Sequence, residues 1–299
     1  MRIAITGSTG MIGSKITSFL LAQGHEVTQI TRRSSVNDLQ TPVIVWDPAL
    51  GYIDPDKLEG FDVIIHLAGA NVGERWDGIY KQSILDSRVQ GTRLLCQALA
   101  KLNHKPKVLL SASAVGFYGN HEPQQVLDET SPNAQGFLPG VCYRWEQETQ
   151  PAKDAGIRVV HMRFGVVLSK DGGALAKMWL PFQLGVGGIL GNGRQMMSWV
   201  ALSEIPFVID HLIQNNISGP VNVVSSQPVS NAEFTKILGQ IIKRPVICPV
   251  PAFAVRLLFG EMGQTLLLEG AHVVPSVLQR TGYKFHYPDI KSALEEAIR

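Results

Sequence analysis

Gly7, Gly10 and Gly13 fall between a short β-rich run and an apolar-periodic segment, a spacing suited to holding phosphate. Ile3–Thr6 predicts a strand. Met11–Gln23 predicts a helix with Met11, Ile12, Ile16, Phe19 and Leu20 on one face, ended by Gly24. In that context Gly7 permits the tight turn, Gly10 lets backbone approach a pyrophosphate, and Gly13 lets the helix pack closely on the strand. The helix N-terminus then directs free N–H groups at the anion. The expected contacts are Gly7, Thr9, Gly10, Met11, Ile12 and Gly13. The alternative is a plain glycine-rich turn, which the strand–loop–helix order disfavours. The second predicted strand, Glu26–Thr31, runs into Arg32 and Arg33 and not into an acidic residue. A carboxylate there would accept a ribose 2′-hydroxyl. Adjacent arginines suit a 2′-phosphate instead, so NADP is the expected cofactor; the alternative is a solvated basic pair at a strand end.

Strand and helix patterns alternate through the first half, which predicts an α/β, Rossmann-like, doubly wound parallel sheet. Further strands are expected at Val43–Trp46, Phe61–Leu67, Val108–Ser111 and Ile157–Met162, and helices at Ile79–Leu102 and Gly140–Ala155. After about residue 165 the rhythm changes to glycine clusters at Gly172–Gly173, Gly185–Gly188 and Gly191–Gly193, read as functional loops or pocket walls. Pro220–Val224 is expected to return to the main sheet. Ser230 and Glu233 form a capping box for a helix over Asn231–Ile242. Further helices are expected over Pro251–Phe259 and Asp289–Ile298. The chain therefore divides into an NADP-binding domain over 1–165, to which about 199–225 return, and a smaller substrate-binding lobe over 166–299.

With 299 residues, 45% of them hydrophobic and 17% charged, the chain has the composition of a globular enzyme with a large core. A net charge of +2 argues against a nucleic-acid or anionic-membrane partner. No apolar run is long enough to span a bilayer without proline or charge, and the N-terminal stretch leads straight into the glycine loop rather than a signal peptide. Cys96, Cys142 and Cys248 form no CxxC or Cys/His cluster, so no metal site is expected and a reducing cytoplasm is the default.

The sequence resembles a known family. Thr6-Gly7-x-x-Gly10-x-x-Gly13, His66-Leu67-Ala68-Gly69, Val89-x-Gly91-Thr92, and Ser111-Ala112-Ser113 ahead of Phe117-Tyr118-Gly119 resemble an extended short-chain dehydrogenase/reductase. Arg75-Trp76, Ser87-Arg88, Arg144-Trp145-Glu146, Pro181-Phe182-x-Leu184-Gly185-x-Gly187-Gly188, Gly191-x-Gly193-x-Gln195 and Gly260-Glu261-Met262 are similar to its atypical "epimerase family protein" branch, which carries its own C-terminal domain. The resemblance spans essentially the whole chain. It implies that Thr31 and Arg32 lie near the adenosine phosphate, Asp47 near the adenine, and Leu67, Ala68 and Gly69 under the ribose. Arg88 takes the place of an asparagine and is expected to face the cofactor or an acidic substrate group, or else to be a surface arginine. Arg163-Phe164-Gly165-Val166 resembles the family segment whose backbone holds the nicotinamide end, which implies a cofactor contact at Val166.

The same resemblance exposes a departure. Members of the wider family work with Tyr-x-x-x-Lys on a helix, the lysine lowering the tyrosine pKa. Here Tyr143 is followed four residues later by Gln147, and no register supplies the pair. Tyr143 is the candidate catalytic tyrosine or else a packed aromatic. Ser113, at a strand end, is the candidate for hydrogen-bonding the reacting carbonyl. Arg75, Gln195, Ser198 and Trp199 are expected pocket residues. The reading that follows is an NADP-dependent oxidoreductase or epimerase acting on a small sugar-like or acidic substrate. The alternative is a non-catalytic protein that binds NADP(H) as a regulatory or redox-sensing ligand.

Overall fold

The computed structural model describes residues 1–32 and 41–299. Arg33 lies outside the described residues. The first half runs β1 (Arg2–Thr6), α1 (Met11–Ala22), β2 (Glu26–Thr31), β3 (Val43–Asp47), β4 (Tyr52–Ile53), β5 (Val63–His66), α2 (Gly78–Ala100), β6 (Val108–Ala114), β7 (Val126–Leu127), α3 (Phe137–Gln147), α4 (Gln150–Asp154) and β8 (Arg158–Phe164). The second half runs β9 (Val166–Leu168), α5 (Gly173–Gln183), β10 (Met196–Met197), β11 (Trp199–Ala201), α6 (Ile205–Gln214), β12 (Gly219–Val223), β13 (Val229–Ser230), α7 (Asn231–Ile241), α8 (Ala252–Gly263), β14 (His272–Val273), α9 (Ser276–Arg280) and α10 (Ile290–Ala297).

Eight strands form one sheet in the order β12-β8-β6-β5-β1-β2-β3-β4. Every pairing is parallel except β3 with β4, where Trp46 faces Ile53. The chain winds outward from β1 through β2 and β3, then resumes on the other side at β5. The order therefore reverses between β1 and β5, and the crevice for a ligand opens at their carboxyl ends. Interior strands such as β1 and β5 read as near-continuous apolar runs because helices cover both faces. Ile3, Ile5 and Ile65 pack with Ile16 and Leu20 on one face, while Ala4, Ile64 and Leu109 pack with Leu95 and Leu99 on the other.

A third core, built from Leu175, Phe182, Trp199, Phe234, Leu238 and Leu294, underlies the C-terminal segments. Glu204 fastens these to the main sheet. Its carboxylate is 1% exposed and accepts N–H bonds from His286 (3.0 Å) and Tyr287 (2.8 Å) as well as the Tyr283 hydroxyl, which fixes the 283–287 turn against the start of α6.

Two segments differ from the pattern expected of the sequence. Gly140–Ala155 is not one helix but α3 and α4, broken at Thr149, whose hydroxyl donates to the Glu146 carbonyl at 2.7 Å just ahead of Pro151, which has no N–H to continue the ladder. The glycine-bracketed stretch after residue 172 holds the helix α5, with Pro181 inside its last turns. The glycines mark its ends, and Leu175 and Phe182 bury its inner face. Ser230 caps α7 as its spacing implies, accepting the Glu233 N–H at 3.2 Å.

Candidate functional site

The turn after β1 is close-packed. Gly7 has φ +68°, and a Cβ there would meet the Ala68 nitrogen at 3.0 Å. A Cβ on Gly13 would fall 2.2 Å from the Gly7 carbonyl oxygen, so α1 approaches the loop as only glycine permits. The Gly10 N–H donates to the Gly7 carbonyl at 3.1 Å and closes the turn. Gly10 caps α1 with no side chain, and no acidic residue lies in the first turn, which leaves a positive helix end facing the crevice. Ser8 is 4% exposed, and its hydroxyl has no hydrogen-bond partner. A buried unpartnered hydroxyl beside an open helix N-terminus is the arrangement a diphosphate would complete. Thr9 and Gly10 are exposed and Met11 and Ile12 half-buried at this rim, while the Met11 thioether packs beneath Gly172.

The opposite wall is fixed by one hydroxyl. Thr6 Oγ1 accepts N–H bonds from Leu67 (3.1 Å) and Ala68 (3.2 Å) and lies 2.7 Å from His66 Nδ1. Having accepted twice, it donates its proton to Nδ1. The His66 Nε2–H then donates to Thr92 Oγ1 at 2.9 Å. His66 is wholly buried and neutral, its pKa pushed down to about 4 by burial. This chain sets the backbone of Leu67, Ala68 and Gly69 at the switch point. Arg88 braces it from behind. Its guanidinium donates to the Ala70 carbonyl (3.0 Å) and the Ile84 carbonyl (3.1 Å), stacks on Trp145 at 4.9 Å, and lies 3.2 Å from where a Gly69 Cβ would be. Arg88 is thus a half-buried prop of the loop rather than a surface arginine.

Thr31, Arg32 and Asp47 converge because β2 and β3 are parallel neighbours, with Thr31 opposite Val45. Arg32 is exposed. Asp47 Oδ1 accepts the Ala49 (3.0 Å) and Leu50 (3.2 Å) N–H groups, which ties off the turn after β3.

At the carboxyl ends of β6, β8 and β12 lies a buried polar network. Ser113 donates to Glu146 Oε1 at 2.7 Å. Arg163 grips the same carboxylate with two bonds of 2.8 Å and donates to the Tyr118 hydroxyl at 2.9 Å. Tyr118 donates to Asn222 Oδ1 at 2.8 Å, and the Asn222 N–H donates to Glu129 Oε1 at 3.0 Å. Burial raises the Glu146 carboxyl, but the guanidinium outweighs it and holds the group below the usual carboxylate range. His161 stands 3.6 Å from Glu146 and is pushed down to about 4, chiefly by burial. Tyr118, wholly buried, has its pKa raised by burial.

The structure brings Ser113 into this network and leaves Tyr143 out of it. Val141, Cys142, Trp145 and Glu146 form the inward face of α3, whereas Tyr143 is 49% exposed and Arg144 and Gln147 share its outward side. Tyr143 thus stands outside the network that holds Ser113, and it is not the packed aromatic that was the alternative. The register of α3 is set by its buried face, and that face carries Glu146 where the tyrosine pair was sought.

Three expected pocket residues are also committed elsewhere. Gln195 donates to the Leu190 (3.1 Å) and Leu267 (2.9 Å) carbonyls. Ser198 donates to the Ala271 carbonyl (2.8 Å) and accepts the Val273 N–H (2.9 Å). Trp199 is wholly buried and donates to the Gln227 carbonyl. They stitch the C-terminal segments together. Arg75 is exposed, and Val166, half-buried, pairs with Trp199 across β9 and β11. The sequence reading missed Glu146, Arg163, Asn222 and Glu129 as a group. Its one legible signal is an arginine near the end of a largely buried strand, Arg158–Phe164, which demands a buried partner.

Residues 3–224 match the model of the NAD dependent epimerase/dehydratase family, and residues 250–297 match a domain of unknown function, DUF1731. The chain is 42% identical to the epimerase family protein Mb2239 of Mycobacterium bovis, over 98% of this chain and 96% of that one. It is 36% identical to the epimerase family protein YfhF of Bacillus subtilis, over 100% and 98%. Among solved structures, human epimerase family protein SDR39U1 (isoform 2) with NADPH superposes with a TM-score of 0.89 at 32% identity, covering 99% of both chains. A nucleoside-diphosphate sugar epimerase from Corynebacterium glutamicum gives 0.81 at 34%, covering 100% of this chain and 58% of that one.

Arg163→Met should strand the buried Glu146 carboxylate and lower unfolding stability by about 3–5 kcal/mol, with part of the loss recovered in Glu146→Gln/Arg163→Met; urea unfolding measures both. Stability should also fall with acid. His66 and His161 titrate near 4 when folded against 6.5 otherwise. The unfolded chain therefore takes up these protons first as pH falls through 6.5. Their contribution is full above that value and is lost between it and about 4. The urea midpoint should decline over that window, and His66→Gln should flatten the decline.

Proposed function

Because the chain belongs to the NAD dependent epimerase/dehydratase family, we propose that it binds NADP(H) in the crevice between β1 and β5 and acts on a small sugar-like or acidic substrate as an oxidoreductase or epimerase. The observation that carries the cofactor reading is the pairing of an uncapped α1 N-terminus with an exposed Arg32 after β2, where an NAD-preferring site would carry a carboxylate. Gly7, Gly10 and Gly13 with the first turn of α1 would hold the diphosphate, Leu67–Gly69 the ribose, and Arg32 the 2′-phosphate. The NADPH of the human relative supports this choice.

When bound, the nicotinamide supplies hydride transfer. The chain's own contribution at the reacting end is Ser113. Its proton is engaged by Glu146, so its free lone pairs are oriented to accept from a substrate hydroxyl, and Arg163 keeps Glu146 in place. A sugar-like substrate is supported by the sugar-nucleotide epimerase named above. The three cysteines are free thiols, which supports a reducing, cytoplasmic setting.

A second reading, binding of NADP(H) without turnover, is favoured by one observation: Tyr143 faces outward, and the acids nearest Ser113 are buried, Tyr118 with its pKa raised by burial and Glu146 held low by Arg163. Turnover separates the two. NADPH-loaded protein is incubated with carbonyl compounds and sugar nucleotides while nicotinamide absorbance and product configuration are followed. Conversion of one substrate class supports the enzyme reading; tight binding with no conversion supports the other. For the cofactor, Arg32→Asp should weaken NADPH binding by roughly ten-fold or more, about 1.4 kcal/mol, while NADH affinity changes little. Equal losses would show that Arg32 does not read the 2′-phosphate.

A further inference from the structure

The outward side of α8 carries Arg256 but is otherwise largely apolar, unlike the polar side a solvent-facing helix usually presents. Val255 and Met262 point into the fold, yet Phe253, Leu257 and Leu258 on the other side are 70%, 76% and 63% exposed. Ile247, just before α8, is 75% exposed, and Leu180 and Leu184 at the end of α5 are 61% and 67% exposed. These segments lie side by side. Arg244 donates to the Gln183 carbonyl at 2.8 Å, and Val250 exchanges backbone bonds of 2.9 Å with Ile189 and Gly191. Exposed apolar side chains gathered on adjoining segments mark a place where something docks.

Its charge is one-sided. Residues 172–203 contain Lys177 and Arg194, residues 234–260 contain Lys236, Lys243, Arg244 and Arg256, and neither stretch holds an aspartate or glutamate. Lys177 is paired with Glu74. The other five are exposed and form no ion pair among the described residues. Glu261, which follows the second stretch, is turned to Lys81 at 2.8 Å. A symmetric pairing of two copies through this face would bring five cations on each side toward few acids, Glu261 of α8 being held by Lys81 and Glu233 lying at the start of α7. An apolar helix face rimmed by lysine and arginine is instead the form that settles on an anionic lipid surface, its apolar side chains in the acyl boundary and its cations at the phosphates. The chain's net +2 conceals this, because the balancing carboxylates lie elsewhere.

We propose that the face formed by α8, the 244–250 segment and the end of α5 docks the protein reversibly on anionic phospholipid bilayers. Full-length protein is sedimented with vesicles of phosphatidylcholine alone and of phosphatidylcholine with phosphatidylglycerol, at low and high salt. Binding to the anionic vesicles should exceed binding to the neutral ones by roughly ten-fold or more and weaken with salt. Phe253→Ser/Leu257→Ser and Lys236→Gln/Lys243→Gln should each lose most of it while their NADPH affinity, read by titration, stays unchanged and reports an intact fold. Equal sedimentation with both vesicles, or none, overturns the proposal. So does a particle of two chains' mass by light scattering that Phe253→Ser/Leu257→Ser dissociates, since the face then belongs to a second copy.

Discussion

A guanidinium buried near the carboxyl end of a parallel strand must be answered from the layers around it, and in this protein the answer ties together the ends of β6, β8 and β12. Arg163 ends β8 at 4% exposure. Glu146 reaches it from α3 and Tyr118 from the turn after β6, while the ring of Phe117 lies under it at 3.5 Å. Through Tyr118 the same group reaches Asn222 on β12, whose backbone N–H is held by Glu129. Three strand ends, a helix and the 129 loop thus share one set of hydrogen bonds. Removing any member leaves a buried polar group unpaired, the most expensive kind of vacancy a core contains.

The crevice at the carboxyl ends of β1 and β5 has its own fixed point, and it is simpler. Thr6 ends β1 and holds the first residues after β5, while Gly7 lets that backbone come to van der Waals distance. His66 locks the hydroxyl from below. The two fixed points stand on neighbouring parts of one sheet, since β5 lies between β1 and β6. A rigid sheet therefore relates the glycine-loop crevice to Ser113 without relying on the loops.

Several residues whose types suggested contact with a ligand are used instead to hold backbone. Arg88, Gln195 and Ser198 each spend their donors on carbonyls, and for Gln195 and Ser198 those carbonyls include residues more than seventy positions away. Glycine-rich segments supply few side chains to pack, so long polar residues take over the work of closing them. The same economy explains why Trp199 is wholly enclosed with its indole N–H on Gln227.

The parallel strands of the main sheet, the glycine-rich turn after β1, the α7 cap and the arginine after β2 were legible in the amino-acid sequence because each depends on residues within a few positions of one another: a turn needs its glycine, a helix start its Ser230, an alternating pattern its covered face. Which way α3 turns was not. Tyr143 and Glu146 are three residues apart on one helix, and local propensity treats them alike; only the packing of Val141, Cys142 and Trp145 against the sheet sends the carboxylate inward and the phenol to solvent. The partners of Arg163, Arg88 and Gln195 were hidden for the same reason. A polar side chain's role is set by what lies within hydrogen-bonding distance, and for these residues that is decided by segments brought together only when the sheet forms.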